Sequence, residues 1–118
     1  MLERIKSALR RHEALIEVER MSAHELDDLG MSRDEVAAFI RLPEDAAIRL
    51  ETMAGIFGVA ERALRARPSD HLSMLRTCAG CRDRAACGEA LGRGELQRPS
   101  DCGFCPNAAQ LEQHGIAA

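Results

Sequence analysis

The chain has 118 residues, 46% of them hydrophobic and 3% aromatic, with a formal net charge of −3. That length suits one compact domain, or a short helical arm beside one core. The acidic balance argues against a DNA binder, since phosphate neutralisation needs a basic face. The absence of Trp and Tyr also removes the stacking platform used on single strands. Charge is uneven along the chain: residues 21–60 carry eight Asp or Glu against three Arg, between flanks that are each near +1. This pattern points to a protein partner, with RNA binding through the Arg-rich first helix left open.

Helical signals follow one another from the start. Leu2, Ile5, Leu9, His12 and Ile16 recur at three and four residues, which predicts an amphipathic helix to about Met21. Ser22 with Glu25 is a capping box opening a second helix, which Gly30 closes. Ser32 with Glu35 repeats the device for a third helix ending near Arg41. Pro43-Glu44-Asp45 restarts the chain, and Ala46, Leu50, Met53 and Phe57 form the stripe of a fourth helix, with a break at Gly58. A further turn or two spans Val59 to Arg65 and is expected to end at Pro68. Ser69 is expected to cap a helix through His71, Leu72 and Leu75 into Cys78, with short helices around Arg84–Leu91 and Asn107–Gln113 beyond. Gly92-Arg93-Gly94 and Gln97-Arg98-Pro99-Ser100 read as loops, and the last few residues are expected to fray.

No strand-like alternation occurs. The expected fold is all-α: a small helical bundle with a cysteine-rich, metal-binding loop region at its carboxy end. Residues 1–42 read as an amino-terminal helical segment and 43–118 as a helical domain with a four-cysteine site. No signal-peptide pattern and no eighteen-residue apolar run is visible, so a membrane role is not expected and the cytoplasm is the expected compartment. Thiols stay reduced there, and five cysteines read first as metal ligands or redox groups.

Those five are Cys78, Cys81, Cys87, Cys102 and Cys105, with Pro106 after the last. Two thiols separated by two residues can face one ion from a single turn, and a distant pair closes the tetrahedron. In the zinc arrangement Cys78 and Cys81 face Cys102 and Cys105, which leaves Cys87 unused. In the iron–sulfur arrangement Cys78, Cys81 and Cys87 bind three irons of a [4Fe-4S] cluster and Cys105 supplies the fourth thiolate. Cys105-Pro106 matches the Cys-Pro that ends ferredoxin ligand runs. The cluster is favoured because it uses the third cysteine of the first run; Zn2+ and metal-free redox thiols are the alternatives. Arg82, Arg84, Arg93 and Arg98 are candidates to tune a cluster or dock a partner, against a reading as solvated surface side chains.

The Cys-x2-Cys-x5-Cys run resembles the cluster loop of helical DNA-repair glycosylases and of the auxiliary-cluster domains of radical maturases. The glycosylase loop has another cysteine where this chain has His71, which makes His71 an alternate ligand, as is Cys102. Residues 13–40, through Leu26-Asp27-Asp28-Leu29-Gly30-Met31-Ser32-Arg33, resemble the YjiS-like domain and its Leu-x-Asp-Ile-Gly-Leu-x-Arg core. That resemblance implies a small helical segment and, for some members, RNA-linked regulation. Residues from about 44 to 114 resemble a bacterial domain of unknown function marked by Cys-x2-Cys-x5-Cys and a closing Phe-Cys-Pro-Asn, here Phe104-Cys105-Pro106-Asn107. Its pattern has a Trp-Leu pair after the third cysteine, where this chain has Ala90-Leu91, and has no counterpart of Cys102. The resemblance therefore implies Cys105 as the fourth ligand.

No catalytic constellation stands out. His12, His24, His71 and His114 are scattered, and Asp27-Asp28 and Glu44-Asp45 sit at helix ends where acids complement the dipole. The chain reads as a small cytoplasmic iron–sulfur protein that transfers electrons or senses redox state, oxygen or iron through a docked protein, and not as an enzyme. The alternative is a zinc-stabilised interaction or RNA-associated module.

Overall fold

A computed structural model describes residues 1–117, with side chains through His114. The expected fraying of the last few residues falls outside the described side chains. Among the described residues the regular elements are eight α-helices and one 3₁₀ turn, so the protein is all-α. The chain divides into two compact units, Met1–Leu42 and Pro43–Ala118. No helix of the described residues is long and apolar enough to cross a membrane.

The first unit holds α1 (Leu2–Glu19), α2 (Ala23–Leu29) and α3 (Arg33–Arg41). Both capping boxes form. Ser22 Oγ accepts from the Glu25 amide at 3.1 Å, and Ser32 Oγ accepts from the Glu35 amide at 3.1 Å. Each glutamate accepts in return from its serine amide, at 3.4 and 3.0 Å, so two orphan donors are met at each start. Gly30 closes α2 with φ of 70°, which a side chain would oppose, and the Met31 amide reaches back to the Leu26 carbonyl. Arg33 then donates to the Val18 and Met21 carbonyls, covering the open end of α1. α1 packs on α3 and buries Val18. Its apolar stripe is only partly used: Leu2, Ile5 and Leu9 are exposed.

The second unit is built on α4 (Glu44–Ile56), which packs against α5 (Glu61–Arg65), α6 (Pro68–Ala79) and α7 (Arg84–Gly92). The 3₁₀ turn Pro99–Cys102 and α8 (Ala108–Ala117) follow. Ala46, Leu50, Met53, Ala54 and Phe57 give α4 a wide buried face. Leu64, Leu72, Met74, Leu75, Cys87, Cys102 and Leu111 complete the core from the other elements. Gly58, at φ 74°, ends the α4 segment as expected, and the Val59 amide reaches the Ala54 carbonyl at 2.8 Å.

Three expectations change. Pro68 does not end a helix; it is the first residue of α6, behind Arg67 in extended conformation. Its fixed φ suits a first turn, whose amide would have no helical partner anyway. Ser69 therefore lies inside α6 and does not cap it. The stretch Pro99–Cys102 is a 3₁₀ turn and not a plain loop, because Asp101 Oδ2 accepts from the Gln97 and Arg98 amides at 3.2 and 3.1 Å. Finally, the cysteine region is less of a loop than expected: Cys78, Cys87 and Cys102 lie within helical turns.

Leu50 is fully buried, whereas Ile48 two positions earlier is 64% exposed. Urea denaturation of the two alanine variants should separate them. Leu50→Ala should cost about 2–5 kcal/mol, and Ile48→Ala about 0.5 kcal/mol or less.

Candidate metal centre

The cysteines are brought together by the ends of three helices. Cys78 sits in the last turn of α6, and Gly80 and Cys81 follow in the turn beyond it. The Cys81 amide donates to the Cys78 carbonyl at 3.3 Å and the Arg84 amide to the Cys81 carbonyl at 3.4 Å. This carries the chain directly into α7. Cys87 then lies one turn into α7, its amide on the Asp83 carbonyl at 2.7 Å. Cys105 comes from the turn before α8, its amide on the Cys102 carbonyl at 3.0 Å.

Cys78, Cys81, Cys87 and Cys105 line one small cavity. Met53, Phe104 and Pro106 supply apolar walls, and Arg49 and Arg84 bring cationic side chains to it. The open volume is about 20 Å³, room for roughly one water molecule. Phe104 and Pro106 thus flank Cys105 on the cavity side. The other candidates do not line this cavity. Cys102 is fully buried, and its Sγ points to the Arg98 carbonyl at 3.6 Å. His71 stands by Arg65 and Glu51, and burial with the Arg65 charge keeps its imidazole below the ordinary range. Among the described residues no three His, Cys, Asp or Glu side chains stand close enough to hold a metal ion as they are.

The sulfurs nevertheless have donors aimed at them. Asn107 Nδ2 donates to Cys78 Sγ at 3.3 Å and to the Met74 carbonyl at 3.0 Å. The Asp83 amide donates to Cys81 Sγ at 3.4 Å. The Asn107 and Ala108 amides stabilise charge on Cys105. A neutral thiol is a weak acceptor, so donors placed in this way gain most when the sulfur is a thiolate.

Burial sets the resting state of these groups. It pushes the Cys78 thiol up to about 11, aided by Cys105 and opposed by the Asn107 hydrogen bond and Arg49. Burial also raises Cys87, Cys102 and Cys105. Cys105 adds to the rise at Cys87 and Cys102, because two neighbouring thiolates would repel. That is opposite to the lowered values of a reactive redox thiol. A bound cation would remove the mutual repulsion and offset the cost of burying charge.

Sequence reasoning missed Arg49 and the role of Asn107. Arg49 falls on the buried stripe of α4 between Ala46 and Met53, and an arginine there was the available signal. Asn107 belonged to the Phe-Cys-Pro-Asn pattern, but its reach to α6 depends on the fold. Of the flanking arginines, Arg84 lines the cavity and donates to the Cys81 carbonyl at 2.9 Å. Arg93 pairs with Glu95 and Arg98 with Asp101.

A Cys78 thiol near 11 leaves, at neutral pH, about 100-fold less thiolate than one at the ordinary 9.0. Alkylation of the metal-free protein, mapped by mass spectrometry, should modify Cys78 slowly near pH 7.5. Denaturation should abolish that protection.

Comparison with known proteins returns a family match at the amino end. No curated protein and no solved structure matches the chain. The family match leaves all five cysteines outside it. It begins earlier than the resemblance suggested, taking in the whole of α1, and stops within α3. Residues 1–37 match the YjiS-like domain.

Proposed function

We propose that the second unit is a cysteine-ligated metal module, with Cys78, Cys81, Cys87 and Cys105 holding a [4Fe-4S] cluster. The observation that carries the reading is the selection of these four thiols, and not Cys102, around one largely apolar cavity. The Cys-x2-Cys-x5-Cys run with Cys105-Pro106 supports a cluster over a two-knuckle zinc site, which would use Cys102 and leave Cys87 out. The N–H donors on Cys78, Cys81 and Cys105 are the kind that set the potential of thiolate-bound clusters.

Such a cluster supplies one-electron chemistry, and the protein's own residues govern access to it. Cys81 and Cys105 are half-buried and Phe104 is 41% exposed, so a partner protein can approach the sulfurs closely. We therefore assign the chain to electron transfer, or to sensing of redox state, oxygen or iron, with a protein partner in the reducing cytoplasm. RNA association through α1 has less support. Within α1, Arg4, Lys6, Arg10 and Arg11 are equalled in number by Glu3, Glu13, Glu17 and Glu19, leaving no excess positive charge.

A second reading keeps the same four ligands around a single Zn2+ with a purely structural role. The small cavity favours it, since one ion needs less space than a cluster. Anaerobic purification separates the two. The cluster reading expects a brown protein with iron and sulfide in equal amounts and a broad visible absorption bleached by dithionite. A colourless protein with one tightly held zinc per chain would replace it with the structural reading.

Serine substitution tests the ligand set under either metal. Replacing Cys78, Cys81, Cys87 or Cys105 should abolish stoichiometric metal binding, measured by elemental analysis, while Cys102→Ser should retain it. Loss with Cys102→Ser and retention with Cys87→Ser would restore the two-knuckle arrangement.

A further inference from the structure

Arg49 is out of place on the inner face of α4. The residue is 8% exposed, between buried Ala46, Leu50 and Met53. Its guanidinium donates to the Cys78 carbonyl at 2.8 Å and pairs with Asp45 one turn earlier. The same side chain lines the four-thiol cavity. Its stem runs close to α7, so that a methyl group placed on Gly88 would stand 3.7 Å from Arg49 Cδ. The stem thus passes beside α7 while the guanidinium is tied to the Cys78 carbonyl and Asp45.

A buried guanidinium needs compensating negative charge as well as hydrogen-bond acceptors. Asp45 is a poor source, because its side chain is 67% exposed and water screens it. Neutral thiols supply no charge. The balance changes when the thiols take up metal. Four S–H groups release four protons to solvent and four sulfurs bind a divalent cation, so the site ends with two negative charges. A [4Fe-4S] cluster on four thiolates is likewise anionic.

Resting on the four-cysteine reading above, we infer that Arg49 is a positioning residue whose fixed positive charge balances the anionic metal–thiolate centre and whose hydrogen bond holds the Cys78 turn in place. It bonds the Cys78 carbonyl at the end of α6 and lines the same cavity as Cys87 of α7. One guanidinium on α4 thus acts on ligands from α6 and α7 together.

Zn2+ is the probe, with affinity measured by chelator competition and the rise in Tm on zinc binding measured alongside. Arg49→Met keeps the stem and removes the charge. It should bind about 10–100-fold more weakly than wild type, with a smaller rise in Tm. Arg49→Lys keeps the charge and should recover part of the affinity. A merely structural arginine would lower Tm equally with and without zinc and leave the rise unchanged. Asp45→Asn covers the case in which Arg49→Met does not fold. It removes the partial, water-screened compensation that Asp45 gives Arg49 in the metal-free protein, so zinc should raise Tm by more than in wild type.

Wild-type affinity in Arg49→Met, equal weakness in Arg49→Lys and Arg49→Met, or a smaller Tm rise in Asp45→Asn would each overturn the assignment of Arg49 alone. Failure of the wild-type protein to bind zinc or iron would overturn the four-cysteine reading, and this inference with it.

Discussion

Asn107 is 3% exposed, and its side-chain amide serves two acceptors at once, the Met74 carbonyl and the Cys78 sulfur. Both are on α6, whereas Asn107 leads into α8. This buried amide ties the turn carrying Cys105 to the helix carrying Cys78. It also orders the start of α8, where the Leu111 amide returns to the Asn107 carbonyl at 2.9 Å and Leu111 is fully buried. Leaving such an amide unpaired in a core costs more than the bonds themselves contribute, so its position is tightly specified. The convergence of the thiols depends on it.

Around that tie, α4 performs two tasks with one face. Leu50, Met53 and Ala54 fill the core, and Arg49 turns the next position of the stripe toward the cysteines. Apolar packing sets the distance of α6 and α7 from α4, and the arginine sets the electrostatics where they end. Burial, reinforced by neighbouring thiols, holds Cys78, Cys87 and Cys105 toward the neutral form. The donors on Cys78, Cys81 and Cys105 nevertheless suit sulfur that carries charge. That mismatch supports the metal-site proposal and sets these thiols apart from Cys102, which packs in the core.

Local rules made most helix boundaries readable. Serine and glutamate three residues apart opened α2 and α3, and Gly30 and Gly58 ended segments where a positive φ was needed. Proline was ambiguous: Pro68 can end one helix or begin the next, and only the packing of α6 on α4 decides. Spacing named the cysteines but could not say which four share a cavity, because Cys102 and Cys105 are separated by side-chain direction and not by distance along the chain. Arg49 lies far from the motif in sequence and reaches it through helix packing. The stripe of α1 was readable as a helix, but its exposure at Leu2, Ile5 and Leu9 was not.

The segment between α7 and α8 has a further consequence for the metal-free chain. Its described residues between Gly88 and Pro106 include one buried side chain, Cys102. Hydrophobic contact alone gives this stretch little reason to stay ordered, and local opening should begin there. A centre that joined Cys87 to Cys105 would close the stretch into a loop and restrict the chain entropy of its open forms. The order of this whole excursion would then report whether the site is filled, and any partner that reads its surface would be reading metal content.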